Sequence, residues 1–300
     1  MTKHILISGG SGLLGKAIQE YLQAEGHVVA ILSRQKQSNS VKSFYWDYEN
    51  GIIDQEAIAF ANIIIHLAGE NISASRWTAK QKHKIIESRV KTTELLYSAI
   101  KKSKKKPEKI ISASAIGYYG SVSGDRIYKE TDEAGSDFLA ETVAQWEAAV
   151  DRFTDLGVST FKLRIGVVMS DKGGALQEMI KPLKMGFAAK LASGKQYIPW
   201  ISIDDLARMF VFLIDKNDVA KVYNAVNPTH INNQELTGLL AKKYNKPMLP
   251  FGIPAFLIRL IFGEMSVIVL EGSRVSSQLI QDSGFEFKHT KLKDYLDQLP

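Results

Sequence analysis

The sequence predicts a doubly wound α/β fold: a parallel sheet with helices on both faces, followed by a smaller C-terminal lobe. Strand-like and helix-like stretches alternate from Ile5 to Ile165. A run of glycines separates the first strand from the first helix. Beyond about residue 170 the alternation breaks into shorter pieces.

Ile5 to Ser8 is a short apolar run ending at glycine. Leu13, Leu14, Ala17, Ile18, Tyr21 and Leu22 then recur at three- and four-residue steps, giving one apolar helix face, and Gly26 ends it as a C′ glycine does. His27 to Leu32 is aliphatic and β-branched, a second strand bounded by Ser33-Arg34-Gln35. Such a βαβ unit makes its two strands parallel and opens a ligand crevice at their C-terminal ends. A strand at Phe44 to Trp46, a short helix at Gln55 to Phe60 and a buried strand at Asn62 to Leu67 come next. The spacing then predicts a long helix from about Thr78 to Lys102, a strand at Lys109 to Ala113, a helix from about Asp137 to Leu156 and a strand at Val158 to Ile165.

Gly173, Gly174, Gly186, Gly194 and Pro199 interrupt the pattern after that strand, Tyr223 to Val226 reads as a late strand, and Asn232 with Glu235 forms a capping box. The longest apolar stretch, Ile253 to Leu270, is broken by Arg259, Gly263 and Glu264, which predicts a buried or amphipathic helix pair and no membrane span. The expected division is a dinucleotide-binding domain over residues 1–170 and a substrate-side lobe over 171–300, with about 200–228 returning to the sheet.

Composition narrows the classes. With 300 residues, 45% hydrophobic and 23% charged, the chain can bury a substantial core and is neither disordered nor collagenous. The absence of cysteine removes disulfides, thiolate metal sites and cysteine nucleophiles. The N-terminal residues lack the long apolar core of a signal peptide, so the cytoplasm is the expected location. The net charge of +6 invites a nucleic-acid reading. Most of that surplus, however, lies in the lysine-rich run from Lys101 to Lys109, at a helix end and its following turn, where it suits solvent and the helix dipole. No stretch interleaves basic and aromatic residues, so neither nucleic acid nor membrane is expected as a partner.

Gly9-Gly10-Ser11-Gly12-Leu13-Leu14-Gly15 satisfies G-x-x-G-x-x-G from Gly9 and G-x-G-x-x-G from Gly10. Because it joins a predicted strand to a predicted helix, it has the context of a Rossmann phosphate cradle. The early glycines admit a pyrophosphate, Gly15 lets helix and sheet approach, and the helix N-terminus offers unpaired N–H groups. A site for NAD places an acid at the end of the second strand to accept from the ribose hydroxyls. Here Ser33-Arg34 stands there, and a guanidinium pairs with a 2′-phosphate, so NADP(H) is the expected cofactor.

Further along, Leu67-Ala68-Gly69-Glu70-Asn71-Ile72, Arg76-Trp77, Ser88-Arg89, Ser112 to Gly120 (SASAIGYYG) and Pro199 to Leu206 (PWISIDDL) occur in order, as do Pro254-Ala255-Phe256, Gly263-Glu264-Met265 and Gly284-Phe285. This set resembles the atypical extended short-chain dehydrogenase/reductases labelled epimerase family proteins, which are akin to nucleotide-sugar epimerases. The resemblance spans essentially the whole chain. It implies that Leu67, Ala68 and Gly69 line the adenosine side of the cofactor with Arg89 nearby. It further implies that Ser112 to Ser114 end a strand beside the nicotinamide, and that Arg164 to Val167, Gly166 included, close over the cofactor.

The chemistry expected of such enzymes is incomplete. They use a serine, a tyrosine and a lysine four residues after that tyrosine, the lysine making the phenol an acid or base near neutral pH. The only Y-x-x-x-K here, Tyr97 to Lys101, precedes the serine and reads as an accidental surface pair. At the expected place stand Phe138 and Thr142. Ser114 remains as a hydrogen-bond donor to a substrate oxygen, and Tyr118, or its neighbour Tyr119, as a phenol. A phenol without a cation beside it is a poor base at neutral pH. The histidines show no metal spacing, and capping accounts for one of the acids Asp204 and Asp205. Two readings stand: an NADP(H)-dependent oxidoreductase or epimerase acting on a small polar, sugar-like or nucleotide-linked molecule, and an NADP(H)-binding module in which catalysis is weak or lost.

Overall fold

The structure, a computed structural model, describes residues 1–35, 41–217 and 220–300. Its strands are β1 (His4–Ser8), β2 (Val28–Ser33), β3 (Lys42–Asp47), β4 (Ile52–Ile53), β5 (Ile63–His66), β6 (Lys109–Ala115), β7 (Ile127–Tyr128), β8 (Ser159–Ile165), β9 (Val167–Met169), β10 (Trp200–Ser202), β11 (Ala220–Ala225) and β12 (Arg274–Val275). The helices that shape it are α1 (Leu13–Ala24), α2 (Gln55–Phe60), α3 (Ala79–Lys102), α4 (Phe138–Asp151), α5 (Ala175–Lys184), α6 (Ile203–Phe212), α7 (Asn233–Lys243) and α8 (Ala255–Phe262).

Eight strands form one sheet in the order β11-β8-β6-β5-β1-β2-β3-β4. Every neighbouring pair is parallel except β3 with β4. Strands buried on both faces need continuous apolar sequence, and Ile5, Leu6, Ile7, Ile63, Ile64 and Ile65 supply it at the centre, where helices cover both sides. The chain winds outward from β1 through β2 and β3, then crosses back to continue from β5 on the other side. The order therefore reverses between β1 and β5, and a crevice opens at their C-terminal ends.

Four sequence expectations needed correction. The helix expected to reach Leu156 ends at Asp151 and tightens into a 3₁₀ turn, Arg152–Leu156, before Gly157 turns the chain at φ +74°. The strand expected to stop at Ile165 continues past Gly166 as β9, which leaves the main sheet to pair with β10. Only glycine permits this crossing, since a Cβ at Gly166 would lie 2.2 Å from the Pro199 carbonyl oxygen. Of the two alternatives for the Ile253–Leu270 stretch, burial fails for its first helix: α8 buries Ile258 alone and exposes most of its apolar side chains before Gly263 stops it.

A second buried cluster gathers Met169, Leu176, Ile180, Trp200, Leu236 and Tyr295 away from the central sheet. The acids at the start of α6 also differ from expectation. Ser202 caps that helix by accepting from the Asp205 N–H. The wholly buried Asp205 carboxylate instead accepts the backbone N–H groups of Lys288 and His289 and pairs with Arg208, fastening the C-terminal segment to the sheet.

Candidate functional site

At the β1/β5 switch point two loops meet. Gly9 adopts φ +72°, which glycine tolerates, and the Gly12 N–H closes the turn on the Gly9 carbonyl at 3.1 Å. A Cβ on Gly10 would come within 2.4 Å of the Ile31 side chain, and one on Gly15 within 2.6 Å of the Gly10 Cα. Backbone alone thus fills the cradle. Helix α1 starts at Leu13 with Gly12 as its cap, no side chain capping it and no acid in its first turn, so its amide dipoles face the crevice uncompensated. Ser11 is exposed, while Leu13 and Leu14 are half-buried. Gln19, which the sequence reading passed over, donates Nε2 to the carbonyls of Gly10 (2.6 Å) and Gly15 (2.9 Å) and fixes the loop from behind.

From β5 come Leu67, Ala68 and Gly69, packed so closely that a Cβ on Gly9 would lie 3.1 Å from the Leu67 carbonyl carbon. Beneath them the imidazole of His66 is wholly buried, and burial pulls it down to about 3, so it is neutral at physiological pH. Thr93 spends its proton on the Arg89 carbonyl and therefore accepts from His66 Nε2–H at 3.0 Å. Nδ1 then accepts the Ser8 hydroxyl proton at 2.6 Å, and Ser8 Oγ in turn accepts the Leu67 N–H. This relay sets the exit of both strands and leaves His66 no catalytic freedom. Arg89 donates to the carbonyls of Ile85 and Glu70 and packs against Gly69; burial lowers its guanidinium to about 10, which leaves it charged.

Arg34 is exposed at the end of β2, and among the described residues its guanidinium has no hydrogen bond or ion pair. Its charge is one of the influences that hold Asp47 below its ordinary range, after the Asn50 side-chain hydrogen bond and the backbone N–H groups of Asn50 and Glu49. Ser33 accepts the Gln35 N–H at 3.2 Å.

The third group lies where β6, β8 and α4 meet. Ser114 pairs in register with Arg164, and both reach Glu147 on α4. Ser114 donates to Glu147 at 2.5 Å, and Arg164 grips both carboxylate oxygens at 2.8 and 2.9 Å. Burial would raise the Glu147 carboxyl, but Arg164, Ser114 and Lys162 together hold it below its usual range. Arg164 also donates to Tyr119, whose phenol donates to Asn224 at 2.7 Å and is pushed up to about 12 by burial. The Arg164 guanidinium lies 3.4 Å from the ring centroid of Tyr118. That phenol is half-buried and, among the described residues, has no hydrogen-bond partner.

The structure thus brings Gly9 to Gly15, Leu67 to Gly69, Arg89 and Arg34 around one crevice. It gives Arg164 a different neighbourhood from the one the resemblance implies: the side chain is committed to Glu147 and buried. Ser114 likewise turns its proton into the protein. Gly166 and Val167 join the main sheet to β10, with the Val167 N–H on the Pro199 carbonyl at 2.7 Å. Phe138 packs edge-on against Trp77, and Thr142 returns its hydroxyl to the Phe138 carbonyl, so the expected tyrosine and lysine positions serve packing. The sequence reading missed Glu147 and Asn224, because partners this far apart in sequence carry no spacing signal, and Gln19, which sits in helix period behind the glycine loop and reads as one more polar helix residue. A cleft of about 610 Å³ opens along α3, lined by Tyr48, Arg76, Lys80, Lys84 and Lys91 among others. Among the described residues no cluster of His, Asp or Glu could hold a metal ion.

Comparison with known proteins agrees with this geometry. The model of the NAD dependent epimerase/dehydratase family matches residues 5–227, and a domain of unknown function, DUF1731, matches residues 253–299. An epimerase family protein of Mycobacterium bovis is 33% identical over 293 residues, covering 97% of this chain and 96% of its own. The crystal structure of the human epimerase family protein SDR39U1 with NADPH superimposes with a TM-score of 0.87 at 28% identity, covering 99% of this chain and all of that one. A nucleoside-diphosphate sugar epimerase from Corynebacterium glutamicum gives a TM-score of 0.80 at 29% identity, covering 99% of this chain and 57% of the other.

Proposed function

Since the chain belongs to the NAD dependent epimerase/dehydratase family, we propose that it binds NADP(H) across the β1/β5 switch point and transfers hydride to or from a small polar substrate, sugar-like or nucleotide-linked. The observation that carries this reading is the cradle in which a Cβ at Gly10 or Gly15 would collide with its neighbours, together with the Arg34 guanidinium at the end of β2, which has no ion pair among the described residues. Gly9, Ser11, Gly12, Leu13, Leu14 and Gly15 hold the pyrophosphate against the α1 N-terminus. Ser33 and Arg34 take the 2′-phosphate, while Leu67, Ala68, Gly69 and Arg89 border the adenosine. The NADPH in the SDR39U1 crystal structure supports the choice of cofactor.

When bound, the cofactor supplies hydride chemistry at its nicotinamide. The chain's own contribution is positional. Ser114, Glu147 and Arg164 make a rigid, charge-balanced floor, and Tyr118 offers an uncommitted phenol beside it, in place of the missing tyrosine and lysine couple. In this reading Tyr118 Oη holds the proton exchanged with the substrate, and Ser114 sets the floor on which Tyr118 and Arg164 rest. Gly166 and Val167 carry the chain from that floor to the substrate-side lobe, and the division of the chain near residue 170 belongs to this reading. So does a cytoplasmic location, which suits a chain without cysteine. Among the described residues no helix is long and apolar enough to cross a membrane.

The alternative, an NADP(H)-binding module with weak or lost catalysis, is favoured by one observation: Phe138 and Thr142 are packed where the family's acid/base pair is expected. Following NADPH absorbance with a panel of carbonyl substrates separates the two. Turnover that disappears in Tyr118→Phe and falls in Ser114→Ala supports the enzyme. Tight NADPH binding without turnover across the panel supports the module.

A further inference from the structure

Exposed apolar surface is concentrated at one place. Helix α8 and the segment before it leave Phe251, Phe256, Leu257, Leu260, Ile261 and Phe262 exposed, with Leu260 at 71% and Phe256 at 66%. A second strip runs beside that segment. Ala188 bridges Met248 and Leu191 bridges Ile253, joined by backbone hydrogen bonds such as Leu249 N–H to the Ala188 carbonyl at 2.8 Å, and this places the 76%-exposed Met185 at the same edge. Folded proteins rarely leave so contiguous an apolar face bare unless something covers it.

The charge around this face is predominantly positive, with the acids Glu178, Asp204, Glu235 and Glu264 confined to the flanks of the segments that form it. Residues 179–203 and 236–263, the two segments that meet here, each carry four lysines or arginines and no aspartate or glutamate. Among the described residues only Lys181 of these eight cations lies within ion-pair distance of a carboxylate, that of Glu178. Two copies of the chain meeting across a two-fold axis would press these like-charged rims together, which disfavours a second copy as the cover. Exposed phenylalanine and leucine flanked by the exposed cations Lys184, Lys246 and Arg259 is the pattern of a helix that lies in the boundary between lipid head groups and acyl chains.

The helix is also presented rather than packed. Arg76 donates to the carbonyls of Leu260 and Ile261 at 2.8 and 2.7 Å, and Lys82 pairs with Glu264, so polar clamps at its C-terminal end hold α8 while its apolar side chains face outward. We propose that α8 and the adjoining edge at Met185 and Phe251 form a docking surface for an anionic lipid bilayer, occupied peripherally with no segment crossing it.

The test is co-sedimentation of the full chain with phosphatidylcholine vesicles containing or lacking phosphatidylglycerol, for the wild type and two double variants, Phe256→Asp/Leu260→Asp and Lys184→Glu/Lys246→Glu. The wild type is expected to sediment with the phosphatidylglycerol vesicles only, and each double variant to partition at least about tenfold more weakly. All these positions are exposed, so unchanged NADPH affinity and circular dichroism report an intact fold. A wild type that stays in the supernatant, or binds both vesicle types equally, or binds no better than either variant, overturns the proposal. Concentration-dependent dimers that disappear in Phe256→Asp/Leu260→Asp would assign the face to a second copy instead.

Discussion

Ser114 on β6 donates its hydroxyl to the carboxylate of Glu147 on α4 at 2.5 Å, while Arg164 from the neighbouring strand grips the same carboxylate. A serine at the end of this strand would ordinarily be read as a hydrogen-bond donor to substrate. Its proton is instead part of a buried ion-pair network, and the phenol just past the strand end that has no hydrogen-bond partner among the described residues is that of Tyr118, held under the Arg164 guanidinium.

Breaking the buried pair strands a charge. Arg164→Met is therefore expected to lower unfolding free energy by about 3–5 kcal/mol, and Ser114→Ala by only about 1–2 kcal/mol, since Glu147 keeps its guanidinium. Urea melts of the two variants check this. Equal losses would mean that Ser114, not Arg164, carries the network.

Tyr118→Phe removes the hydroxyl to which the proposed chemistry assigns the exchanged proton. NADPH affinity should be unchanged, and turnover of any substrate found should fall by about a hundredfold or more. A variant as active as the wild type would remove Tyr118 from the mechanism.

The glycine cradle has no room for a methyl group. Gly15→Ala puts a Cβ 2.6 Å from the Gly10 Cα and should abolish detectable NADPH binding, at a stability cost of about 1–3 kcal/mol. Retained affinity in isothermal titration would show that the loop does not approach the pyrophosphate.

His66 makes stability depend on pH. Its imidazole sits at about 3 in the folded chain because of burial, against 6.5 when unfolded, so the unfolded state binds more protons between those values. Stability is fully present above 6.5 and falls as pH drops through that window, by about 2 kcal/mol between pH 7 and pH 5. His66→Gln should flatten this decline in urea melts at the two pH values; a decline of the same depth in the variant would place its origin elsewhere.

The sheet was legible because its strands are near-continuous runs of Ile, Leu and Val separated by helix-period stretches, and the cradle because its glycines are adjacent in sequence. Arg34 was legible from its place at the end of the second strand. What escaped is long-range. The cation over Tyr118 is Arg164, on β8 rather than four residues along a helix, and the partner of Ser114 is Glu147, on α4. Glycine effects at a distance escaped as well: Gly166 looked like the end of a strand, yet it is where Pro199 crosses the chain. The bare apolar face of α8 escaped too: the stretch read as a buried or amphipathic helix pair, and composition cannot say which side of a hydrophobic helix is covered.

If Arg34 and the Gly9–Gly15 loop form an NADP(H) site, paired titrations of NADPH and NADH into wild type and Arg34→Glu will separate the two cofactors. Wild type should bind NADPH more tightly than NADH. Arg34→Glu should weaken NADPH by roughly thirtyfold, about 2 kcal/mol for a lost charge-assisted contact, while leaving NADH nearly unchanged. Equal effects on both cofactors, or no binding of either by the wild type, would contradict the account.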